Sequence, residues 1–364
     1  MIPNKTLTAT TLAAYGVLSG QTPQTAVINP LMPSGPDPWI TYRGGYYYFM
    51  HTTGNSLRIW KSRMLADLAH AENRVVWRAP ATGPYSRDVW APELHFIRGK
   101  WYIYFAADAG ANASHRIWAV ECDSEDPLAG EWRMKGKVSD ATDRWAIDAT
   151  VFEQDSRLYM VWSGWESDVN VAQHLYIAEL SDPWTVKSPR VRISSPDRAW
   201  EKVGDLTSRR DPELNPGLDL LDPPHVDVNE GPEIVRHGDR IFLVYSAGGC
   251  WTDSYSMGML TARAGSDLLN PASWEKSPIP VFWQSPKAGA YGTGHGSFFQ
   301  SPDGTEHWMV YHANPEAHQG CGSHRAPRAQ RFTWTPDGTP DFGRPVALGV
   351  AMAPPSGELG SGRN

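Results

Sequence analysis

Five times along the chain a short strand candidate, a tight turn and an aromatic strand candidate follow one another, and this repeat constrains the fold more than any other feature. The units read Asp37–Tyr42, Arg43-Gly44-Gly45 and Tyr46–Thr52; Glu93–Arg98, Gly99-Lys100 and Trp101–Ala107; and Ala149–Gln154, Asp155-Ser156-Arg157 and Leu158–Gly164. Pro232–Arg236, His237-Gly238-Asp239 and Arg240–Ser246 form the fourth, and Gly296–Gln300, Ser301-Pro302-Asp303-Gly304 and His307–Ala313 the fifth. Each turn carries the Gly, Asp or Pro that hairpin dihedrals favour. A third strand candidate follows each hairpin: Leu57–Lys61, Ile117–Glu121, Gln173–Glu179, Ser256–Thr261 and Arg328–Thr333. Loops such as Asp126-Pro127, Asp182-Pro183 and Asn270-Pro271 then lead towards a fourth strand. Four antiparallel strands repeated five times predict an all-β chain folded as a five-bladed β-propeller around a central axis.

Hairpins in series also build β-sandwiches. Against that reading, no Pro/Gly/Ser-rich linker divides the chain, and charged residues recur at one place in several repeats. The 33 Gly and 30 Pro beside 41% hydrophobic residues fit short strands joined by many turns. The expected organisation is a leader over residues 1–26, one propeller domain over 27–350 and a tail over 351–364. The longest insertion, Ser194 to Asn229, reads as a polar, Pro-rich loop over one face.

A net charge of −7 without a basic stripe speaks against a nucleic-acid partner. No apolar run is long enough to cross a bilayer as a helix, so no membrane span is expected. Thr6 to Gly20 is a poor secretory signal. Secretion, with the signal removed or lying outside this sequence, is nonetheless favoured over a cytoplasmic location, and a monomer is expected. Cys122, Cys250 and Cys321 lack metal-ligand spacing and allow at most one disulfide, and Cys250 reads as structural.

The first strand of a blade runs beside the axis, so the residue at its start sits at the funnel mouth. There the repeats offer Asp37, Asp148, Glu230 and His295. Carboxyls gathered at one point repel and lose hydration, so one of them stays protonated near neutrality and can act as a general acid. A second, ionised, can activate water on the opposite face of a sugar. Clustered Asp and Glu also bind calcium, and on the residues alone the two readings stand level.

The chain resembles glycoside hydrolase family 43 from Asn29 to about Leu348. The resemblance rests on Gly35-Pro36-Asp37-Pro38, Val89-Trp90-Ala91-Pro92-Glu93, Ile147-Asp148-Ala149, Asn229-Glu230-Gly231-Pro232, Gly294-His295-Gly296 and Arg325 nine residues before Trp334. It implies that Asp37 is the general base, Glu230 the general acid and Asp148 the carboxylate that orients the acid and keeps its pKa high. It further implies hydrolysis with inversion and no cofactor for the chemistry. His295 resembles a pore histidine that faces a structural calcium or other ion through water; a hydrogen-bonded core histidine is the plainer reading. Arg325 matches an arginine on a sugar hydroxyl and Trp90 a wall against the sugar, with blade packing the alternative for Trp90. Arg328 is ambiguous, and Trp162, Trp165, Trp251 and Tyr291 are mostly packing residues in blade-end loops. The expected substrate is a pentose-containing oligo- or polysaccharide, with release of terminal α-L-arabinofuranose from arabinan favoured over β-xylosidase or endo-arabinanase action. A non-catalytic sugar-binding propeller is the reading from another class.

Overall fold

In the computed structural model the described residues are 26–203 and 226–358. The expected leader, most of the long insertion and the end of the tail therefore lie largely outside the described residues. Among the described residues the chain is nearly all β, interrupted only by short 3-10 turns.

The five repeats form five successive antiparallel meanders. Trp39–Arg43, Tyr46–Met50, Ser56–Ser62 and Glu72–Arg78 make the first sheet, and Arg87–Ile97, Lys100–Asp108, Arg116–Cys122 and Arg133–Val138 the second. The third unit, Ala146–Gln154, Arg157–Gly164 and Ala172–Asp182, fills its outer position with two short strands, Thr185–Val186 and Val191–Ser194. Asp227–His237, Arg240–Ala247, Ser256–Arg263 and Glu275–Lys276 form the fourth, and Tyr291–Gln300, His307–Asn314, Ala326–Trp334 and Pro340–Asp341 the fifth. A short parallel pairing, Ala172 with Asp227 and Gln173 with Val228, joins the third and fourth units into one nine-stranded sheet. The first strand of each unit lies against the first strand of the next, and the fifth unit's against that of the first.

Alternation along the strands explains this closure, because successive side chains point to opposite faces. In the first unit Tyr48 and Met50 pack towards the second, with Trp101, Ile103 and Phe105, whereas Tyr47 and Phe49 pack towards the fifth, with Phe299, Trp308 and Val310. Each sheet is thus apolar on both faces and has a core on either side. Fully burying one such aromatic contributes on the order of 1.5–3 kcal/mol. The strand Val27–Ile28 pairs with Ala351–Met352, fastening the two ends of the described chain together.

The first strands are longer than the sequence pattern suggests. In the second to fifth units they begin several residues upstream of the predicted start and pass through a register shift, at Trp90/Glu93, Ile147/Thr150, Glu230/Glu233 and Gly294/Ser297. One residue at each unit's corresponding place takes a left-handed backbone: Asp37 (φ 55°), Ala91 (φ 42°), Asp148 (φ 54°), Gly231 (φ 54°) and His295 (φ 52°). Such bulges re-aim a side chain and end regular pairing.

Candidate active site

Asp37, Asp148 and His295, at three of these bulges, and Glu230, beside a fourth, line one pocket of about 390 Å³. The six residues given a catalytic or binding role from the sequence, Asp37, Trp90, Asp148, Glu230, His295 and Arg325, line it. Left-handed backbone at a non-glycine residue costs on the order of 1–3 kcal/mol and recurs at functional sites. Here it falls at Asp37 and Asp148, whose side chains both line the pocket.

Asp37 is held on both oxygens. Arg325 Nη1 donates to Oδ1 at 2.6 Å, and Thr52 Oγ1 donates to Oδ2 at 2.7 Å. Thr52 Oγ1 in turn accepts from the Ala91 backbone N–H at 2.7 Å, which fixes the direction of its own proton. Burial would raise the Asp37 pKa, but the Arg325 guanidinium, with His295, His312 and the Thr52 hydroxyl, outweighs it and holds the carboxyl well below the usual range. Both imidazoles are themselves pushed down by burial, so the guanidinium is the decisive charge.

Glu230 is in the opposite state. Burial, reinforced by the charge of Asp37, raises its pKa to about 7 against the opposing pull of the Tyr255 hydroxyl and Arg325. Asp148 is likewise pushed up, by burial and then by the charges of Glu230 and Asp37, although its Oδ2 accepts from the Gly231 N–H at 3.1 Å. Two buried carboxyls that repel in this way keep a proton between them near neutrality. Beside ionised Asp37 the pocket therefore holds a proton shared between Asp148 and Glu230.

The walls follow from the same strands. Trp90 stacks on His115 with ring centroids 4.1 Å apart, and burial lowers the His115 pKa to about 4, so the wall is backed by a neutral ring. Trp145, not singled out in the sequence, also lines the pocket and stacks on buried Trp165 at 4.7 Å. Trp251 lines the pocket too, while Trp162 is buried packing. Arg328 is fully buried and donates to the carbonyls of Ala288, Gly289 and Asn314, which makes it a structural clamp.

A disulfide joins Cys250 to Cys321, and both residues line the pocket; Cys122 is free and buried. The bond ties the loop of Trp251 to the loop that leads into Arg325. Sequence alone could not choose this pair from three cysteines. His295 Nδ1 lies 3.5 Å from Asp37 Oδ1. Among the described residues no group of three His, Cys, Asp or Glu is arranged to hold a metal ion directly.

The family model described as glycosyl hydrolases family 43 matches residues 27–340. An extracellular exo-α-(1→5)-L-arabinofuranosidase of Streptomyces avermitilis is 38% identical over 90% of the chain, which spans 65% of that relative's length. α-L-Arabinofuranosidase 43 of Humicola insolens is 36% identical over 94% of the chain and 68% of its own length. Among solved structures, α-L-arabinofuranosidase from Lactobacillus brevis matches with a TM-score of 0.77 at 36% identity, covering 89% of this chain and 98% of that one. The matched region contains every pocket residue discussed above and all five meanders but for Asp341 at the end of the last, and the chain belongs to glycosyl hydrolase family 43.

Proposed function

We propose that the chain is an inverting, exo-acting α-L-arabinofuranosidase built as a five-bladed β-propeller. The observation that carries the reading is the opposed state of two carboxyls in one pocket: Asp37 ionised against Arg325, Glu230 protonated by burial. In the proposed reaction Asp37 takes a proton from water as its oxygen bonds to the anomeric carbon. The glycosidic C–O bond breaks on the opposite side, and Glu230 gives its proton to the departing oxygen. Asp148 supports the acid by sharing a proton with it, since burial and mutual repulsion keep the two carboxyls from ionising together near neutrality. Trp90 supplies a face for the sugar, and Arg325 reaches a sugar hydroxyl while it holds the base.

The choice of sugar rests on the names of the relatives at 36–38% identity. The propeller reading rests on five meanders whose first strands touch in cyclic order. A secreted monomer with no nucleic-acid partner is part of the proposal; the pocket disulfide supports an oxidising compartment. No described helix is long and apolar enough to cross a membrane. The pore ion is retained only as a water-held neighbour of His295, because the described side chains form no set of direct ligands, and no step is routed through it.

The test is hydrolysis of aryl α-L-arabinofuranoside, aryl β-D-xyloside and linear 1,5-arabino-oligosaccharides by the wild type and by Glu230→Gln. Release of arabinose in the β-anomeric form by the wild type alone is expected. Turnover of the xyloside with silence on the arabinoside would overturn the choice of sugar. Silence on all three would favour a binding role.

A further inference from the structure

Glu230 Oε1 is met by a buried phenol that belongs to no sequence motif: Tyr255 Oη donates to it at 2.8 Å. Burial, with the charges of Glu230 and Asp148, pushes this phenol well above its ordinary pKa, so it stays a donor at any working pH. The ring is fixed from two sides. It stacks on His312 at 9° with centroids 5.7 Å apart, and a Cβ on Gly294 would stand only 2.2 Å from it. His312 Nδ1 accepts from the Asp37 backbone N–H at 3.1 Å, so one stack spans the acid and the base.

The direction of the hydrogen bond to Glu230 is set upstream. The His295 backbone N–H donates to Ser246 Oγ at 2.7 Å, and a backbone N–H can only donate. Ser246, which faces Glu230 across the paired strands, keeps its own proton for the Tyr255 hydroxyl beside it, and Tyr255 in turn points its proton at Glu230. Resting on the reading of Glu230 as general acid, we infer that Tyr255, oriented by Ser246, is a positioning residue that claims Oε1 as an acceptor and confines the transferable proton to Oε2. Without the phenol the proton would be shared between two oxygens and the carboxyl would be free to rotate away from the leaving group.

Besides Tyr255, the groups that face Glu230 are Asp148, Asp37 and Arg325. The Tyr255 bond pulls the Glu230 pKa down, so its loss moves the alkaline limb of the kcat/KM profile to higher pH. The experiment measures kcat and KM for wild type, Tyr255→Phe, Ser246→Ala and Glu230→Gln on arabinofuranosides with a dinitrophenyl and with an alkyl leaving group, across pH. Only the alkyl leaving group needs full protonation, and general acid catalysis is worth about 10²–10⁴-fold. Tyr255→Phe is expected to lose about tenfold or more in kcat on the alkyl substrate and less than about twofold on the dinitrophenyl one, with KM little changed. Ser246→Ala is expected to show the same pattern more weakly, and it stands in for Tyr255→Phe if that variant does not fold. Equal losses on both substrates, or an unmoved alkaline limb, would overturn the inference. If Glu230→Gln itself fails to discriminate between the leaving groups, the acid assignment falls and takes this inference with it; discrimination by Glu230→Gln but not by Tyr255→Phe overturns the inference alone.

Discussion

Arg325 and Asp37 stand 288 residues apart in sequence and 2.6 Å apart in space, both side chains nearly buried. The pair keeps the Asp37 carboxylate ionised in a site where burial alone would raise its pKa. Activity that needs ionised Asp37 is lost as pH falls through its pKa. Removing the guanidinium raises that pKa, so Arg325→Met is expected to move the acidic limb of kcat/KM to higher pH and to lower kcat/KM near neutrality by about tenfold or more. Arg325→Lys should recover only part of this, because an ammonium cannot reproduce the guanidinium fork. A pH–rate series on the three proteins checks both statements.

In the proposed reaction Glu230 sets the other limb: its acid form is needed and is lost as pH rises through about 7, so wild-type kcat/KM is expected to decline above neutrality. Glu230→Gln should abolish that limb and cost about 10²–10⁴-fold on substrates with poor leaving groups.

The Cys250–Cys321 bond is expected to matter to binding more than to chemistry, since it pins the loops that carry Trp251 and lead into Arg325 rather than the inner strands that carry the carboxyls. Cys250→Ser and Cys321→Ser should raise KM more than they lower kcat, and should cost about 2–4 kcal/mol of stability. Kinetics and thermal melting with and without reductant provide the check; reductant should reproduce the effect in the wild type and leave the serine variants unchanged.

Gly294→Ala tests the crowding around Tyr255. The added methyl would collide with the phenol ring at 2.2 Å, and overpacking of this kind typically costs about 1–3 kcal/mol. Denaturant unfolding should show that loss, accompanied by reduced activity on poor leaving groups if the ring is displaced from Glu230.

The hairpin repeat and the carboxyls were legible because they are local: turn residues lie between alternating aromatics, and Asp37, Asp148, Glu230 and His295 stand in short distinctive strings. The predicted third strands fall within observed ones in every unit. In the second to fifth units the inner strands were read too short because a bulge breaks period-two alternation and mimics a strand end. Thr52, Tyr255 and His312 escaped notice for a different reason. They come from other strands and loops than the residues they orient, and no motif marks a hydroxyl whose partner is set by folding. A weak signal did exist. The position paired with the bulge holds Ala106, Ser163, Ser246 and His312 in the second to fifth units, with Thr52 bonded to Pro36 in the first, so aligning the second strands would have exposed a ring of mostly polar residues.

The recurrence of one backbone kink in all five units means that the molecule carries a turret with five mounting points, four of them bearing a carboxyl or imidazole at or next to the kink and the fifth only the methyl of Ala91. Because the aim of each mount belongs to the main chain, the groups at the centre differ from unit to unit while the strands around them keep one pattern. The reaction is thus written in interchangeable side chains on a frame that already knows where the centre is.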